Sequence, residues 1–247
     1  MPPENSCDVA VVGGGVAGRT AAIFTARHDF ETVVLDTGSS ILRRNAHLEN
    51  YPGFPAGVSA RLLLEMMTEQ AEGAGCEFRE AEVTRVDDAG GEEFVVETAA
   101  GEELTAEYVV AATKNETDYL AGLDGVEIVD RGKTFVEVDE RGRTGVDGLY
   151  AAGRLAGKPH QTVVSAGHGA EVAVTLLEDA DEPFYHDWVA PEGYFTGRDR
   201  NIPPGCEEID DAERRRREGE SLAVMRDYFE EAYPEPPEQH PSVRDEG

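Results

Sequence analysis

The chain has 247 residues, of which 22 are basic and 51 acidic, and its formal net charge is −29. Nucleic acid and anionic membranes repel such a charge, so we expect neither as a partner. The length allows one large domain with a buried core. Because no segment approaches membrane-spanning length and the start lacks a signal-peptide pattern, we expect a cytoplasmic protein.

A glycine-rich loop follows the first apolar run. Asp8 to Val12 is typical of a buried strand, and Arg19 to Arg27 continues in a helical pattern. Between them Gly13, Gly15 and Gly18 form G-x-G-x-x-G, in which the glycines permit a tight turn, close approach of a pyrophosphate, and strand–helix packing. The pattern predicts a dinucleotide site at the helix N-terminus. The alternative is a glycine loop that only packs a helix on a sheet.

An acidic residue ends the next predicted strand. Thr32 to Leu35 is apolar, and Asp36 follows at the distance expected for a carboxylate that binds ribose hydroxyls. Val16 and Ala17 of the loop, and Thr37 after the acid, complete this part of the candidate site.

The middle of the chain predicts one helix and then an antiparallel meander. Thr37 to Pro55 is a loop because of its Pro and Gly content. Ser59 to Glu72 is a helix capped by Ser59, with Leu63, Met66, Met67 and Gln70 on or beside one face. The meander strands are Glu77 to Val86, Glu93 to Thr98 and Leu104 to Ala112.

The remaining elements are shorter. A polar connecting segment spans Thr113 to Asp124. Two strand-like runs follow, Lys133 to Val138 and Gly148 to Gly153, and a helix is predicted from about Ala170 to Glu178. We place a domain boundary near residue 180, after which 181–204 reads as an ordered strap. Glu207 to Tyr233 is predicted as an amphipathic helix whose Arg214 to Arg217 pair with acids on a solvated face. Its predicted buried stripe is Leu222, Met225, Tyr228 and Phe229, and Pro234 to Gly247 is expected to fray.

These motifs together resemble the FAD domain of the thioredoxin-reductase-like flavoproteins over residues 6 to 180. The resemblance implies an α/β fold: a Rossmann-like FAD-binding domain with a central parallel sheet and an antiparallel β-meander, here followed by a C-terminal strap and helix. Asn50 in E-N-Y-P-G-F matches a flavin-contacting asparagine, and Val83 lies where the meander backbone meets adenine. The further FAD-binding positions that the resemblance implies are Gly13, Gly15, Gly18, Asp36, Ala112, Thr113, Gly153, Arg154, Gln161, Thr162 and Val163.

The departures from that family concern both the reaction and the flavin. The family inserts an NADPH domain with a second glycine motif and a redox-active C-x-x-C, and this chain bridges the gap with Thr113 to Lys133. The family's Gly-Asp is here Gly153-Arg154, which removes one carboxylate–hydroxyl bond worth ~1–3 kcal/mol. Arg154 then faces the pyrophosphate or stabilises negative charge on the flavin. Lys114 replaces the glycine of Ala-Thr-Gly.

Each cysteine has a functional and a structural interpretation. Cys7, Cys76 and Cys206 are far apart, so we expect neither a disulfide framework nor a metal site. Buried thiols are expected for the first two and a surface position for Cys206, with a reactive thiol as the alternative.

Three histidines and a group of aromatic residues complete the candidates. His168 is a packing or flavin-edge residue or a proton-transfer group, His160 is a polar flavin contact, and His47 is exposed. The aromatics of Phe184 to Trp188 and Tyr194 to Phe195 anchor the strap or form a lid over the flavin.

The leading hypothesis is an FAD-dependent oxidoreductase that takes electrons from a separate or transiently bound donor. The alternative is a non-catalytic module that binds FAD or another adenine dinucleotide. We expect a separate electron donor or acceptor protein and a homodimer. The acidic composition also resembles that of proteins from halophilic archaea. No catalytic residue is identified by name, since the flavin would carry the chemistry.

Overall fold

The computed structural model describes residues 5–90, 93–181 and 187–244. They fall into two compact units. One comprises the chain up to residue 176 together with the segment from residue 237, and the other comprises residues 177–236. Phe184 and Tyr185, two of the predicted strap aromatics, lie outside the described residues. No helix in the described residues is long and apolar enough to cross a membrane.

The first unit opens with the predicted strand–helix–strand. β1 is Ser6–Val12, α1 is Val16–Arg27 and β2 is Thr32–Asp36. β1 and β2 pair in parallel. Val9 and Val11 of β1 are fully buried, as expected for a central strand covered on both faces. The sequence-based strand and helix assignments are confirmed, and the helix starts three residues earlier, directly behind the glycine loop.

A second helix packs beside the first. α2 is Ala60–Gly73, and its Leu62 N–H donates to the Ser59 hydroxyl at 3.5 Å, so the predicted N-cap is confirmed. Leu63 and Met67 are buried, whereas Gln70 is exposed and does not belong to the packing face. A short 3-10 turn, Ile41–Arg44, precedes this helix.

The predicted meander is wrong in its first strand. The run that begins at residue 77 forms two strands with different partners: β3, Glu77–Glu80, pairs in parallel with β2, and β4, Val83–Asp88, pairs antiparallel with β5. The chain leaves β3 at Ala81, whose N–H donates to the Asp36 carbonyl. The hydrophobicity of residues 77–86 does not show that the paired strand changes from β2 to β5 within this run. The meander proper consists of β4, β5 (Phe94–Thr98) and β6 (Glu103–Ala111).

One long strand joins the parallel and antiparallel parts of the sheet. The first half of β6 pairs with β5, and its last residues pair in parallel with β9, Leu149–Ala151. The sheet order is β3-β2-β1-β6-β5-β4, with β9 beside β6. A separate hairpin of β7, Ile128–Asp130, and β8, Thr134–Val136, lies between β6 and β9 in the chain.

The last helix of the sheet region is longer than predicted. α3 spans Thr162–Asp179, so it begins eight residues before the predicted start at Ala170. The residues between Gln161 and Gly169 were predicted to lead into the helix and in fact form its first turns. Gly169 allows close packing, because a Cβ there would lie 2.2 Å from the Ala17 carbonyl oxygen of α1.

The second unit contains a parallel strand pair and one helix. β10, Trp188–Pro191, pairs with β11, Cys206–Ile209, and α4 is Asp211–Tyr228. The Glu208 carboxylate accepts hydrogen bonds from the backbone N–H groups of the connecting loop and from the Thr196 hydroxyl. Partial burial raises the pKa of Glu208, but these hydrogen bonds outweigh that effect and lower it to about 2.

Three of the predicted strap aromatics form a cluster. The ring centroids of Trp188 and Tyr194 are 4.6 Å apart, and Phe195 lies within 5.7 Å of both. Phe195 is buried, which agrees with an anchoring role.

The predicted buried stripe of α4 is wrong. Leu222 is 51% exposed, Met225 39% and Phe229 46%. The helix ends near residue 228 rather than at Tyr233. Its arginines do pair with acids as predicted: Arg214 with Asp211 and Glu218, Arg216 with Glu213 and Glu220. Ion pairs at i,i+3 and i,i+4 spacing therefore accompany a helix whose apolar residues are exposed.

The end of the chain is anchored rather than frayed at residue 238. The Glu238 N–H donates to the Arg43 carbonyl at 3.1 Å, and the Arg43 guanidinium lies 2.9 Å from the Glu238 carboxylate. A four-residue helix, α5 (Pro241–Arg244), follows.

Candidate functional site

The site is built where four parallel strands end. β1, β2, β6 and β9 run in the same direction, so their carboxyl ends meet at one edge of the sheet. Gly13, Asp36, Ala112 and Gly153 lie at or just after these ends. In open α/β sheets this edge is where ligands bind. A cavity of about 1120 Å³ opens there in the first unit.

The three loop glycines have different roles. Gly13 has φ +103°, and a Cβ on it would lie 2.8 Å from the Ala112 carbonyl oxygen. A Cβ on Gly18 would lie 2.0 Å from the Gly13 carbonyl oxygen, so both residues serve close backbone packing. A Cβ on Gly15 would have no heavy atom nearer than the Ser40 hydroxyl at 4.0 Å. The space beside Gly15 is therefore left for a ligand.

The N-terminus of α1 faces the same cavity. Its N-cap is Gly15, and no side chain accepts a hydrogen bond from its first N–H groups. Val16 and Ala17 line the cavity. Uncapped N–H groups at a helix N-terminus favour an anionic ligand.

A largely buried arginine, Arg19, holds the predicted ribose-binding carboxylate. Arg19 Nη2 lies 3.3 Å from Asp36 Oδ2, and its Nε donates to the Thr68 hydroxyl at 2.9 Å. The Gly38 N–H donates to the other carboxylate oxygen at 3.2 Å. Burial lowers the pKa of Arg19, and Asp36 opposes that shift. Arg19 was not among the predicted site residues, and its position on the first turn of α1 beside the glycine loop is the sequence signal that points to it.

Two predicted residues far apart in sequence meet in the cavity. Asn50 Nδ2 donates to Gln161 Oε1 at 2.8 Å, which joins the Y-P-G-F loop to the start of α3. Thr162, the first residue of α3, also lines the cavity. The amide pair offers both donors and acceptors to a ligand.

The cavity collects thirteen of the sixteen predicted cofactor-binding residues and leaves out Gly18, Gly153 and Val163. Gly18 packs against the loop, as described, and Val163 is 38% exposed. The thirteen are Gly13, Gly15, Val16, Ala17, Asp36, Thr37, Asn50, Val83, Ala112, Thr113, Arg154, Gln161 and Thr162.

The backbone of Gly153 is held by a hydrogen bond to His168. Its Nδ1 accepts the Gly153 N–H at 2.9 Å, so the imidazole is neutral at that nitrogen. The side chain is buried, and burial, with a smaller effect of Lys158, lowers its pKa to about 4. A neutral, buried histidine bound to the backbone fits the packing interpretation rather than proton transfer.

The thiols show no sign of redox activation. Cys7 and Cys76 are buried, and burial raises the pKa of each to about 12. Thiolates at these positions are therefore strongly disfavoured. Cys206 is half-buried at the start of β11, and His47 is exposed as predicted.

Comparison with known proteins agrees with this geometry. The pyridine nucleotide-disulphide oxidoreductase family matches residues 57–169, and the NAD(P)-binding Rossmann-like domain family matches residues 11–71. The thioredoxin reductase of Aquifex aeolicus is 36% identical over 113 residues, which are 45% of this chain and 35% of that protein. That of Listeria monocytogenes is 31% identical over 137 residues, 55% of this chain and 42% of that protein. The chain spans less than half the length of these curated relatives.

Solved structures show the same fold. A thioredoxin reductase from Gloeobacter violaceus superposes with a TM-score of 0.67 at 22% identity, covering 74% of this chain and 98% of that one. The thioredoxin reductase of Streptococcus pyogenes gives 0.65 at 14% identity, covering 72% and 99%. The predicted fold class, an α/β Rossmann-like domain with a parallel sheet and a β-meander, is confirmed.

Proposed function

We propose that the chain is an FAD-dependent oxidoreductase module, because the pyridine nucleotide-disulphide oxidoreductase family matches residues 57–169 and thioredoxin reductases are among its similar proteins. Its electrons come from a separate or transiently bound donor. The observation that carries this proposal is the single cavity that brings together the glycine loop, Asp36 and the Asn50–Gln161 pair. The glycine loop and Asp36 form an end of the cavity that suits the ADP half of a dinucleotide. The Asn50–Gln161 pair forms an end that suits the polar edge of a flavin ring.

The residues present fit FAD. Gly15 leaves space beside the uncapped α1 N-terminus for the diphosphate, and Asp36, fixed by Arg19, would accept hydrogen bonds from a ribose. Val83, which opens β4 and lines the cavity, would meet the adenine through its backbone. Asn50 and Gln161 would hold the flavin edge. Bound FAD would supply the electron transfer, and the chain binds, orients and shields it.

The electron acceptor comes from outside this chain in our proposal. The sequence contains no C-x-x-C, and Cys7 and Cys76 are buried thiols of raised pKa. A disulfide substrate would therefore be reduced at the flavin or through thiols of a partner protein. A quinone or oxygen are the other acceptor classes. A salt-rich cytoplasm is part of the same proposal, supported by the charge of −29. The homodimer stays a prediction.

A non-catalytic nucleotide-binding module is the second candidate. Two residues that line the cavity favour it: Lys114, where the resemblance implies glycine, and Arg154, where it implies aspartate. Both alter the surroundings of the cofactor without touching the glycine loop that recognises the ADP half.

The proposal is tested on the purified full chain in high salt. We expect flavin absorption bands, and FAD in the mass spectrum of the extracted ligand. Reduction of the bound flavin by NADH, NADPH or reduced ferredoxin supports the oxidoreductase. Bound FAD that resists these donors and dithionite supports the non-catalytic module. Absence of flavin bands after addition of FAD contradicts both FAD assignments.

A further inference from the structure

Five basic residues lie in or close to the cavity. Four of them line it, and the fifth, Lys133, acts electrostatically on two of the others. They come from separate segments: the 3-10 turn before α2, the end of β6, the turn between β7 and β8, the end of β9, and the loop before α3. We call this group the basic cluster; its members are Arg44, Lys114, Lys133, Arg154 and His160.

The basic cluster is unusual in so acidic a chain. None of its four lysine and arginine members forms an ion pair within 4 Å in the part of the chain that the structure describes. Burial lowers the pKa of Lys114, and Lys133, Arg44 and Arg154 lower it further, whereas Glu116 opposes them. Around Lys114 the basic side chains outnumber the acidic ones, whereas Asp36, Glu82 and Asp118 also line the cavity. The positive charge is therefore local to Lys114 and Arg154, where it suits an anion.

Arg154 is fixed with its outer nitrogens available. Its Nε donates to Asn115 Oδ1 at 3.2 Å, and its guanidinium lies 5.9 Å from the Phe135 ring centroid. Asn115 is itself anchored, since its Nδ2 donates to the Thr134 carbonyl at 2.8 Å. The two Nη groups make no other hydrogen bond among the described residues. A guanidinium held in this way is preorganised for phosphate oxygens.

Lys114 adopts a backbone conformation that disfavours lysine. Its φ is +67°, in the left-handed region where glycine is the usual residue. Strain of this kind is typically retained at ligand-binding positions. The side chain it supplies lines the cavity beside Arg154.

We propose that the basic cluster binds a phosphate or diphosphate group inside the cavity, with Arg154 and Lys114 as the principal contacts. Its position in a concave cavity favours a small anion over an acidic protein surface. Because the diphosphate of FAD is assigned to the Gly15 end of the cavity, the group held by the basic cluster belongs to a second phosphate-bearing ligand. The inference deepens the proposed function, but its first test does not require FAD.

The test uses inorganic pyrophosphate and the full chain without FAD, by calorimetry at fixed ionic strength. We expect Arg154→Gln to weaken pyrophosphate binding about tenfold or more, since a charged contact is lost. Arg226→Gln is the matched control, because it removes the same charge from an exposed position on α4 that does not line the cavity. It should bind pyrophosphate as the wild type does.

Lys114→Gly separates binding from folding. We expect it to weaken pyrophosphate binding several-fold while its melting temperature stays equal to that of the wild type or rises, since glycine accepts the positive φ without strain. The proposal is overturned if the wild type does not bind pyrophosphate, or if both cavity variants bind it as tightly as Arg226→Gln does.

A second titration on the FAD-loaded chain tests whether the anion site is separate from that of FAD. If pyrophosphate still binds, the basic cluster serves a second phosphate-bearing ligand. If FAD abolishes pyrophosphate binding, the two sites coincide and the inference of a second ligand is overturned. If the chain fails to bind FAD, the proposed function fails, whereas the pyrophosphate result without FAD still decides the present inference.

Discussion

The two compact units of the chain are stabilised by different interactions. The first has apolar strands buried on both faces of a sheet, with Val9, Val11 and Val110 inaccessible to solvent. In the second, one carboxylate, Glu208, organises a loop, and exposed ion pairs run along α4. Apolar burial does not itself depend on pH and is not weakened by charge screening, whereas exposed ion pairs are screened by salt and carboxylate contacts are lost in acid. The first unit also contains a buried titratable group, His168, through which it responds to acid. The two units should therefore fail under different conditions.

The largest expected effect comes from the glycine loop of the first unit. Gly18→Ala places a Cβ 2.0 Å from the Gly13 carbonyl oxygen, so we expect a loss of about 3 kcal/mol in the free energy of unfolding. Gly167→Ala is the matched control in α3, where a Cβ meets no atom within 4 Å and should stabilise by roughly 0.5–1 kcal/mol. Hydrogen exchange of the β1 amides measures both. Equal effects of the two substitutions would contradict the packing role of Gly18.

Acid should destabilise the first unit before the second. The pKa of His168 falls from 6.5 to about 4 on folding, so above 6.5 its contribution is complete. As the pH falls from 6.5 to 4, the unfolded chain takes up a proton that the folded one does not, which costs about 3 kcal/mol. For Glu208 the pKa falls from 4.5 to about 2, so its contribution is lost only between those values.

Separate probes follow the two acid transitions. Trp188, the one tryptophan of the sequence, reports on the second unit, and exchange of the β1 amides reports on the first. His168→Gln should flatten the upper transition, and Glu208→Gln should remove the lower one. Coincident transitions in both probes would mean that the two units unfold as one.

FAD should stabilise the first unit alone, because every residue lining the cavity belongs to it. At a hundredfold excess over Kd we expect a gain of about 2.7 kcal/mol in the free energy of unfolding of this unit.

Asp36→Asn should weaken FAD binding by about 1–3 kcal/mol, since a charged hydrogen bond to ribose is lost. Glu82→Gln, the same charge change at another cavity residue, should leave affinity unchanged. Fluorescence quenching of FAD measures both; an equal loss would show a general charge effect.

The smallest effect belongs to the exposed pairs of α4. Arg216→Gln breaks its pairs with Glu213 and Glu220, yet we expect no measurable change in the Trp188 melting transition, because exposed ion pairs contribute little. A drop of several degrees would show that these pairs, and not the Glu208 loop, stabilise the second unit.

Local sequence patterns predicted the parts of the site that depend on backbone geometry. The glycine loop and Asp36 follow from strand, turn and helix signals within 30 residues, and Ser59 follows from capping. The prediction of the first meander strand was wrong because the chain changes its paired strand at Ala81. The hydrophobic pattern of the sequence does not encode that change.

Long-range contacts escaped prediction. Arg19 beside Asp36, His168 beneath Gly153 and the convergence of the basic cluster join positions that only the folded chain brings together. The predicted buried stripe of α4 shows the opposite error. Leu222, Met225 and Phe229 are exposed and Tyr228 is half-buried. Helical spacing of apolar residues does not by itself imply burial.

The anchoring of Glu238 on Arg43 changes what a minimal version of the first unit must contain. Arg43 belongs to the 3-10 turn whose neighbours Leu42 and Arg44 line the cavity. Cutting the chain after residue 180 would delete this brace together with the second unit. Excising residues 177–236 and splicing the flanking segments with a short linker would keep it. By chain connectivity the second unit is an insertion, not an appendage.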